Sequence, residues 1–415
     1  MALASEAPKQ GFRLSQLIYD TRYRSYTIQV MVLVLLLLAV AWLLNNVVVN
    51  LASKGKDIDF SFLWQRAGYD LAQYLIPYTN DDTHFRAALV GLINTLVVAI
   101  AASILSTVLG VLIGVLRLSK NFLVSRLMGL YVELFRNIPL VLWIILAYVI
   151  LSEAMPQPKD FKPVDGVAKA SMVLWDSIAI TNRGTNLPAA LLDRPLPTIG
   201  GWSTSALAVI VVIGLSIWAS RLLVRRASRI QEATGLHPTT WWQSLIVLIL
   251  PTVALLAAMG FHLEYPVMKG FDFKGGIRLA HAFTALTVAL ALYYGAVTAE
   301  IVRGGIQAIS RGQSEAAYAL GLRPVHTTRL VILPQALRVI IPPQISNYLS
   351  LTKDTSLGIA VSYLDLRGTL GGITLNQTGR ELECMLLMMG IYLLISLIIS
   401  SLLNFYNSTV KLKER

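Results

Sequence analysis

The sequence predicts an all-α integral membrane protein with about eight transmembrane helices and with both termini in the cytoplasm. Three observations lead to this prediction: an apolar composition, a series of long apolar segments, and basic residues placed between alternate segments. The chain has 415 residues, of which 55% are hydrophobic and only 14% are charged, whereas soluble domains carry about 25% charged residues. One soluble core cannot bury this many apolar side chains, so much of the outer surface is expected to face lipid.

Eight apolar segments are each long enough for a membrane-spanning helix, which needs about 20 mainly apolar residues. The first follows Arg22 and Arg24 and is longer than the apolar part of a signal peptide, so we expect an uncleaved anchor. The third and seventh contain charged residues and are therefore the weakest candidates. The segments lie near residues 28–49, 92–116, 130–152, 205–224, 243–263, 279–300, 339–361 and 384–405.

The basic residues indicate the orientation of the chain, because cytoplasmic loops of membrane proteins carry an excess of Lys and Arg. With the N-terminus inside, the cytoplasmic segments hold 20 of the 35 Lys and Arg residues and 7 of the 23 Asp and Glu residues. The rest of the chain holds 15 basic and 16 acidic residues. The net charge of +12 is therefore attributed to membrane topology and lipid contact, not to nucleic-acid binding.

Composition also divides the chain into segments. Residues 1–27 mix apolar, aromatic and basic side chains, which predicts a cytoplasmic amphipathic segment at the lipid headgroups, with a disordered tail as the alternative. The first span and an outer loop occupy 28–87, and a short cytoplasmic tail occupies 407–415. Residues 153–280 form an insertion that consists of a proline-rich outer loop and two extra spans. That outer loop either contacts an external partner or is a passive connector.

The longest cytoplasmic loop contains a short segment with both helix ends marked. Ser310 and Gln313 fit a capping box at its start, and Gly321 fits the left-handed position that ends a helix. Glu315 lies in the first turn, where the helix dipole favours an anion. Pro324 prevents the helix from continuing. These features predict a short, rigid, small-faced helix that suits docking into a groove on another protein.

This loop resembles the EAA loop of ABC importer permeases, whose pattern is EAA-x3-G-x9-I-x-L-P. Residues 315–317 read EAA, Gly321 follows three residues later, and residues 331–334 read VILP, with Val331 in place of isoleucine. In that family the loop is the coupling helix, which fits a cleft in the ATPase subunit. Within residues 310–334, the resemblance implies that an ATP-binding subunit contacts Glu315, Ala316, Ala317, Gly321 and Pro334.

Three other stretches resemble elements of the polar-amino-acid branch of this family. Residues 131–140 follow its Y-x-E-x-F-R-x-x-P-L pattern, and residues 298–306 and 351–357 are similar to two further elements. Val297 departs from the branch, because an aromatic residue is expected there. If that position lines the substrate path, this subunit contributes less to substrate contact.

The resemblance implies the transmembrane domain of a type I ABC importer, with its permease core in residues 88–152 and 281–406. The chain most resembles one half of the permease pair of a general L-amino-acid importer. Such an importer takes L-amino acids across the bacterial inner membrane by alternating access. The implied partners are ATP-binding ABC subunits, a second and non-identical permease, and a periplasmic amino-acid-binding protein. ATP and Mg would bind to the ATPase subunits, while this chain would hold no cofactor and no metal.

No enzymatic motif is present, because the sequence contains no G-x-x-x-x-G-K-[ST], HExxH, GxSxG or CxxC. The chain is therefore expected not to be catalytic itself, and ATP hydrolysis is assigned to a separate subunit. The alternative function is a secondary amino-acid transporter driven by an ion gradient. Such carriers often show internal repeats, and no convincing repeat is evident here.

Charged residues within the seventh apolar segment supply the candidate substrate path. A free amino acid carries both a carboxylate and an ammonium group, so a cavity that admits it needs donors and acceptors together. Charges at membrane depth usually face an interior or a water-filled cavity. Alternatively, the Lys and Asp neutralise each other near the outer surface. The candidate residues are Lys353, Asp354, Thr355 and Ser356, which follow a Pro342-Pro343 pair that is expected to disrupt the helix.

Two charged pairs spaced i,i+3 lie near the cytoplasmic ends of predicted spans. Residues with this spacing share one helix face and can form an ion pair. The pairs are Glu133 with Arg136 and Glu300 with Arg303. They are interpreted as structural ion pairs that set the helix register or, alternatively, as parts of an inner gate.

Overall fold

The structure is a computed structural model that describes residues 21–53, 57–163, 168–198, 203–236 and 238–410. The predicted amphipathic segment over 1–27 lies outside the described residues except for 21–27, and the predicted tail is described only as far as 410. The helices are α1 (Thr21–Ser53), α2 (His84–Leu116), α3 (Phe122–Asn137), α4 (Leu140–Val149), α5 (Thr204–Thr234), α6 (Trp241–Ala258), α7 (His281–Gln307), α8 (Arg311–Ala319), α9 (Pro324–Thr327), α10 (Leu333–Asp354), α11 (Leu366–Gly368), α12 (Leu375–Thr378) and α13 (Glu381–Val410).

Shorter helical segments continue several of these helices. Among the described residues, π-helical segments lie over Ile150–Ala154, Thr328–Ile332 and Thr369–Thr374. Three are 3₁₀-helical, over Ser61–Trp64, Pro158–Phe161 and Thr355–Val361.

Helix α1 belongs to a separate unit of the chain that ends at Phe62. From Tyr23 to Asn50 nearly every side chain whose burial is described is exposed, although the segment is apolar. A helix that is apolar all round and is not buried within its own domain matches a lipid environment. The first predicted span therefore corresponds to α1.

Six helices in the described part of the chain are long and apolar enough to cross a membrane, and the α3–α4 pair makes a seventh candidate. The predicted span at 339–361 falls on α10, whose 22 residues would extend roughly 33 Å. Helix α10 carries Arg338, Lys353 and Asp354 and does not meet the same hydropathy criterion. If the α3–α4 pair counts as one crossing, both termini lie on one side only when α10 also crosses, because the number of crossings must then be eight.

The third predicted span, near 130–152, is not one straight helix. Helices α3 and α4 meet at an angle of 102°. Between them, Ile138 is extended (φ −98°, ψ 134°) and Pro139 precedes the first residue of α4. Proline disfavours the helical conformation of the residue before it and supplies no N–H of its own. The stacked rings of Phe135 and Trp143, 4.3 Å apart, pack across this bend.

Helices α2 and α7 form the centre of the core and run parallel. Small residues allow this close approach: a Cβ placed on Gly110 would lie 2.9 Å from the carbonyl oxygen of Gly295, and one on Gly114 would lie 2.7 Å from that of Ala299. The Gly110–Gly114 pair thus packs within this chain. Around the two helices lies a buried cluster that also includes residues of α4 and α10, namely Val98, Ala99, Ala102, Leu140, Ile144, Leu286, Ala289, Leu290, Tyr294, Leu351, Val361 and Tyr363.

The Pro342-Pro343 pair does not disrupt α10 as predicted, since both prolines lie inside the helix. Each proline removes one N–H donor and crowds the carbonyl one turn earlier, a cost that the packing of α10 offsets. Buried residues on either side of the pair, including Ala336, Ile345 and Leu351, hold the helix in the core. The regular helix ends later, at Asp354, where the 3₁₀ segment begins.

In the part of the chain that the structure describes, seven short strands interrupt the predicted all-α architecture. They are β1 (Ala179–Thr181), β2 (Gly184–Leu187), β3 (Ala189–Leu192), β4 (Phe261–Glu264), β5 (Val267–Lys269), β6 (Asp272–Lys274) and β7 (Ile277–Leu279). They form the sheet β1-β2-β7 and the pairs β3-β4 and β5-β6, all antiparallel. The predicted span at 243–263 therefore overshoots, because α6 ends at Ala258. Strands of three or four residues are too short to show an alternating pattern.

The pairings β2-β7 and β3-β4 join the proline-rich loop to the segment before α7. Within this subdomain, Arg278 donates to both carboxylate oxygens of Asp272, at 2.9 and 3.1 Å. Partial burial opposes ionisation of Asp272, but the hydrogen bonds from Arg278 and the Phe273 N–H hold its pKa below the ordinary value. The stabilising contribution of the ionised Asp272 carboxylate is therefore present above the ordinary carboxyl pKa. It is lost as the pH falls through the lowered pKa of Asp272 in the folded protein.

Candidate functional site

The predicted docking helix is present as α8, and its C-terminal end has the expected geometry. Gly321 is left-handed (φ 78°). The N–H of Leu322 donates to the Ala317 carbonyl at 3.1 Å, and the N–H of Gly321 donates to the Tyr318 carbonyl at 2.9 Å. These two bonds form a Schellman motif, which satisfies the last carbonyls of the helix.

The start of α8 differs from the predicted capping box. Ser310 occupies the N-cap position, but its side chain accepts no capping hydrogen bond. Gln313 instead uses its side chain to contact Gln335 in the first turn of α10, with 3.2 Å between the amide nitrogen of Gln335 and the oxygen of Gln313. The Gln313 side chain, which was expected to cap the N-terminus of α8, thus links α8 to α10.

The predicted docking residues do not share the same exposure. Glu315 and Ala316 are exposed, and so are Gly321 and Pro334, the latter in the first turn of α10. Ala317 is only 4% exposed, so it packs inward. A partner protein can contact the first four, whereas Ala317 supports the helix from below.

The loop that contains α8 is connected to the buried core through α9 and α10. A π-helical segment over 328–332 connects α9 directly to α10. Helix α10 then continues to Asp354 and contributes Leu351 to the buried cluster of the core. A displacement of α8 is therefore expected to move α10 as well.

Glu300 lies at the centre of an ion-pair network near the end of α7. It accepts hydrogen bonds from Arg303, one turn further along, and from Arg117, the residue that follows α2. Arg303 also donates to the side-chain oxygen of Gln307 at 2.6 Å. The structure thus brings the predicted pair Glu300–Arg303 together and adds Arg117, which lies 183 positions away in sequence.

The other predicted pair does not form. Glu133 accepts a hydrogen bond from the side-chain amide of Asn137, at 3.1 Å. Both Glu133 and Arg136 are exposed, and the described residues provide no ion pair for Arg136. Asn137 is the last residue of α3, and its short side chain reaches back one turn to Glu133.

The four candidate residues at the end of α10 also have separate environments. The Tyr294 hydroxyl donates to Asp354 at 2.6 Å, so α7 and α10 are joined there. Lys353 is exposed, and no ion pair to Asp354 is found in the described part of the chain, so mutual neutralisation is not observed. Thr355 is buried and donates to the Thr352 carbonyl at 2.9 Å, while Ser356 is half-buried.

Several hydroxyl and amide groups on the core helices were not predicted from the sequence. Asn347 donates to the Thr298 hydroxyl at 3.0 Å, the hydroxyls of Tyr348 and Thr107 lie 2.7 Å apart, and the Tyr131 hydroxyl donates to the Leu292 carbonyl at 2.6 Å. Single hydroxyl groups within apolar segments leave no distinctive sequence pattern, although Tyr131 lies in a stretch that resembles a family element.

The chain is similar to proteins of known function over its entire length. A family described as the binding-protein-dependent transport system inner membrane component matches residues 236–411. The glutamate/glutamine/aspartate/asparagine transport system permease protein BztB of Rhodobacter capsulatus is 63% identical over 426 residues, which cover 100% of each chain. The general L-amino acid transport system permease protein AapQ of Rhizobium johnstonii is 39% identical over 407 residues, which cover 98% of this chain and 96% of AapQ.

A third relative matches only part of the chain. The glutamate/glutamine/aspartate/asparagine transport system permease protein BztC of Rhodobacter capsulatus is 37% identical over 124 residues, which cover 30% of this chain and 26% of BztC. BztB and BztC carry the same transport-system name and come from the same organism.

Proposed function

Since this chain belongs to the family of binding-protein-dependent transport system inner membrane components and is a permease subunit of an amino-acid ABC importer, we propose how it couples ATP hydrolysis to transport. Helix α8 docks into an ATP-binding subunit through Glu315, Ala316 and Gly321, with Pro334 at the edge of the contact. The relationship to importer permeases favours this role over the ion-gradient-driven alternative.

The proposal rests on helix α8, which is exposed and is held by hydrogen bonds to the rest of the chain. Its C-terminal end is closed by the Schellman motif, so the helix can transmit force without unravelling. The contact between Gln313 and Gln335 joins it to α10, and α10 contributes Leu351 to the buried core. Movement imposed on α8 by the ATPase would therefore pass along α10 to the membrane interior. This path supports alternating access driven from the cytoplasmic side.

The proposed substrates are acidic L-amino acids and their amides. This choice rests on BztB, whose name specifies glutamate, glutamine, aspartate and asparagine and whose sequence is 63% identical. Within the chain, Lys353 and Asp354 supply charges of both signs, and Thr355 and Ser356 adjoin them. These four residues are proposed to line the substrate path.

The proposed assembly contains two permeases, two ATP-binding subunits with ATP and Mg, and a soluble amino-acid-binding protein. The presence of BztC beside BztB under one transport-system name supports a non-identical second permease. We place the assembly in a bacterial inner membrane, with the β-strand subdomain on the outer side. This chain contributes the translocation path and no catalytic group.

Reconstitution tests the function directly. The two permeases and the ATPase are placed in liposomes with ATP inside, and the binding protein and labelled glutamate are added outside. Uptake is expected to require ATP hydrolysis and the binding protein, and to persist when ionophores collapse all ion gradients. Uptake that stops with the gradients and continues without ATP would instead establish a secondary transporter.

Tyr294→Phe tests whether the contact to Asp354 belongs to the translocation path. This change removes one hydroxyl and preserves the ring that packs in the core. A hydrogen bond to a charged group contributes about 1.5–3 kcal/mol, so we expect glutamate uptake to fall by roughly tenfold while the assembled complex still purifies. Tyr265→Phe, at an exposed tyrosine of the outer subdomain, is the matched control and should leave uptake unchanged.

A further inference from the structure

A cavity of about 410 Å³ lies between the core helices and the β-strand subdomain. Its walls come from α4 and the π-helical segment after it, from α7, and from strands β1 and β2, which contribute Ile180 and Thr185. Cavities of this volume commonly hold a small organic ligand. The cavity is separate from the proposed substrate path, because neither Lys353 nor Asp354 lines it.

The cavity follows the outer half of α7. Thr284 lines it close to the start of this helix at His281, and Leu292 lines it near the middle of the helix. Positions 284 and 292 are about 12 Å apart along the helix axis, while half of the hydrocarbon core of a bilayer is about 15 Å thick. With the orientation proposed above, the cavity therefore covers most of the depth of the outer leaflet and ends at the strands.

The open side of the cavity is framed by apolar side chains of the membrane helices. Leu146, Ile150 and Val288 line the cavity and are exposed, whereas Ala289 lines it and is buried. Exposed apolar side chains at this depth of a membrane protein face lipid hydrocarbon. A hydrocarbon chain can therefore enter the cavity directly from the bilayer, between α4 and α7.

One buried polar group at the strand end of the cavity lacks a partner. Thr185 is only 7% exposed, and its hydroxyl has no hydrogen-bond partner among the described residues. A buried polar group without a partner is destabilising, so an acceptor or donor from a ligand is expected there. The Trp143 N–H is unpaired as well, but its ring stacks on Phe135 at the deep end of the cavity, below the level of lipid ester groups.

The lining residues restrict the chemistry of the ligand. None of the described residues that line the cavity is charged, so an amino-acid zwitterion or a free fatty-acid carboxylate would be buried there without a counter-ion, which is costly. Water could pair with the Thr185 hydroxyl but would be held against apolar walls, and apolar cavities in proteins stay dry. An acyl chain that ends in an ester fits both parts of the site, because the hydrocarbon fills the apolar volume and the carbonyl accepts from the hydroxyl.

We propose that this cavity binds one acyl chain of an outer-leaflet phospholipid, whose ester carbonyl accepts a hydrogen bond from the Thr185 hydroxyl. The chain lies along α7 from Thr284 to Leu292 and contacts the strands at its upper end. A lipid held in this position connects the β-strand subdomain to the core helices and stabilises both. The site is independent of the substrate and of the ATP-binding subunit.

Photolabelling of the assembled importer is the first test. Phosphatidylethanolamine with a diazirine on one acyl chain is added to the purified complex, and mass spectrometry measures labelling of α4 and α7 relative to α6, an exposed apolar helix. Val288→Trp fills the cavity from its open side. It is expected to lower this ratio about tenfold, because displacing even a few methylene groups from an apolar site has an effect of that size.

Val211→Trp is the matched control, because Val211 is an exposed valine of α5 and does not line the cavity. It should leave the labelling ratio unchanged. The same ratio in Val288→Trp and in the unmodified importer would overturn the proposal, since the label would then come from ordinary surrounding lipid. Labelling by diazirine-bearing palmitate in place of the phospholipid would overturn it too.

Thr185→Val tests the ester contact. The complex is stripped of lipid and titrated with phosphatidylethanolamine, and the rise in unfolding temperature reports binding. Losing one hydrogen bond is expected to weaken the apparent affinity about fivefold. Thr287→Val removes another buried and unpaired hydroxyl, which lies outside the cavity, and should leave the affinity unchanged. Equal affinities in the two threonine variants would overturn the proposal, and this comparison decides if Val288→Trp does not assemble.

Discussion

Glu315→Lys is expected to lower amino-acid uptake at least about tenfold and to weaken copurification of the ATP-binding subunit, while the permease still inserts into the membrane. Glu315 is exposed in the first half of α8, so a replacement there breaks no internal contact. Glu315 lies beyond the first turn of α8, contrary to the prediction, so the helix dipole is not the main term. Reversing its charge instead opposes the proposed contact with the ATP-binding subunit. Uptake, ATPase retention on an affinity resin and membrane abundance are the three measurements.

Glu232→Lys is the matched control for this prediction. Glu232 is an exposed glutamate near the end of α5, on the same predicted side of the membrane, and its charge reversal changes the net charge by the same amount. We expect normal uptake and normal ATPase retention in that variant. Full uptake in Glu315→Lys would show that α8 does not couple the permease to its ATPase.

Gly110→Val is expected to cause the largest loss of stability. The added Cβ would overlap Thr298 and lie 2.9 Å from the Gly295 carbonyl oxygen, so α2 and α7 would have to separate. Overpacking a tight core costs about 1–3 kcal/mol or more, and these two helices form the centre of the fold. We expect strongly reduced accumulation in the membrane and a lower unfolding temperature in detergent, measured by fluorescence-detected size exclusion after heating.

Gly214→Val provides the comparison, because nothing lies within 4 Å of a Cβ at Gly214 in α5. The same substitution there should leave abundance and unfolding temperature nearly unchanged. If both variants behave alike, the close approach of α2 to α7 does not limit the stability of the protein.

The apolar segments of the sequence were sufficient to locate most of the membrane helices. Segments such as 28–49 and 384–405 are continuous and apolar, and a run of that length has no stable alternative to a spanning helix in lipid. The C-terminal end of α8 was predictable for a similar local reason. Gly321 can adopt a positive φ without a Cβ clash, and that conformation stops a helix wherever it occurs.

Contacts that depend on how helices pack could not be predicted from the sequence in the same way. Glu133 and Arg136 have the spacing of an ion pair, yet Glu133 bonds to Asn137, because the helix ends there and a competing partner is closer. Glu300 and Arg303 have the same spacing and do pair, but Arg117 joins them only because α2 and α7 lie side by side. Local spacing permits a contact, and the packing of other helices determines whether it forms.

By itself the sequence determined that this chain crosses a membrane, that residues near 310–321 form a short helix that ends at Gly321, and that its motifs are those of an importer permease. These properties depend on hydropathy, turn chemistry and residue spacing, which act over one or two helical turns. Only the tertiary structure decided the bend at Pro139, the burial of Ala317 and the hydrogen bond between Tyr294 and Asp354. Those features depend on which helix surfaces pack together, and the free energy of such packing is shared among residues that are far apart in the chain.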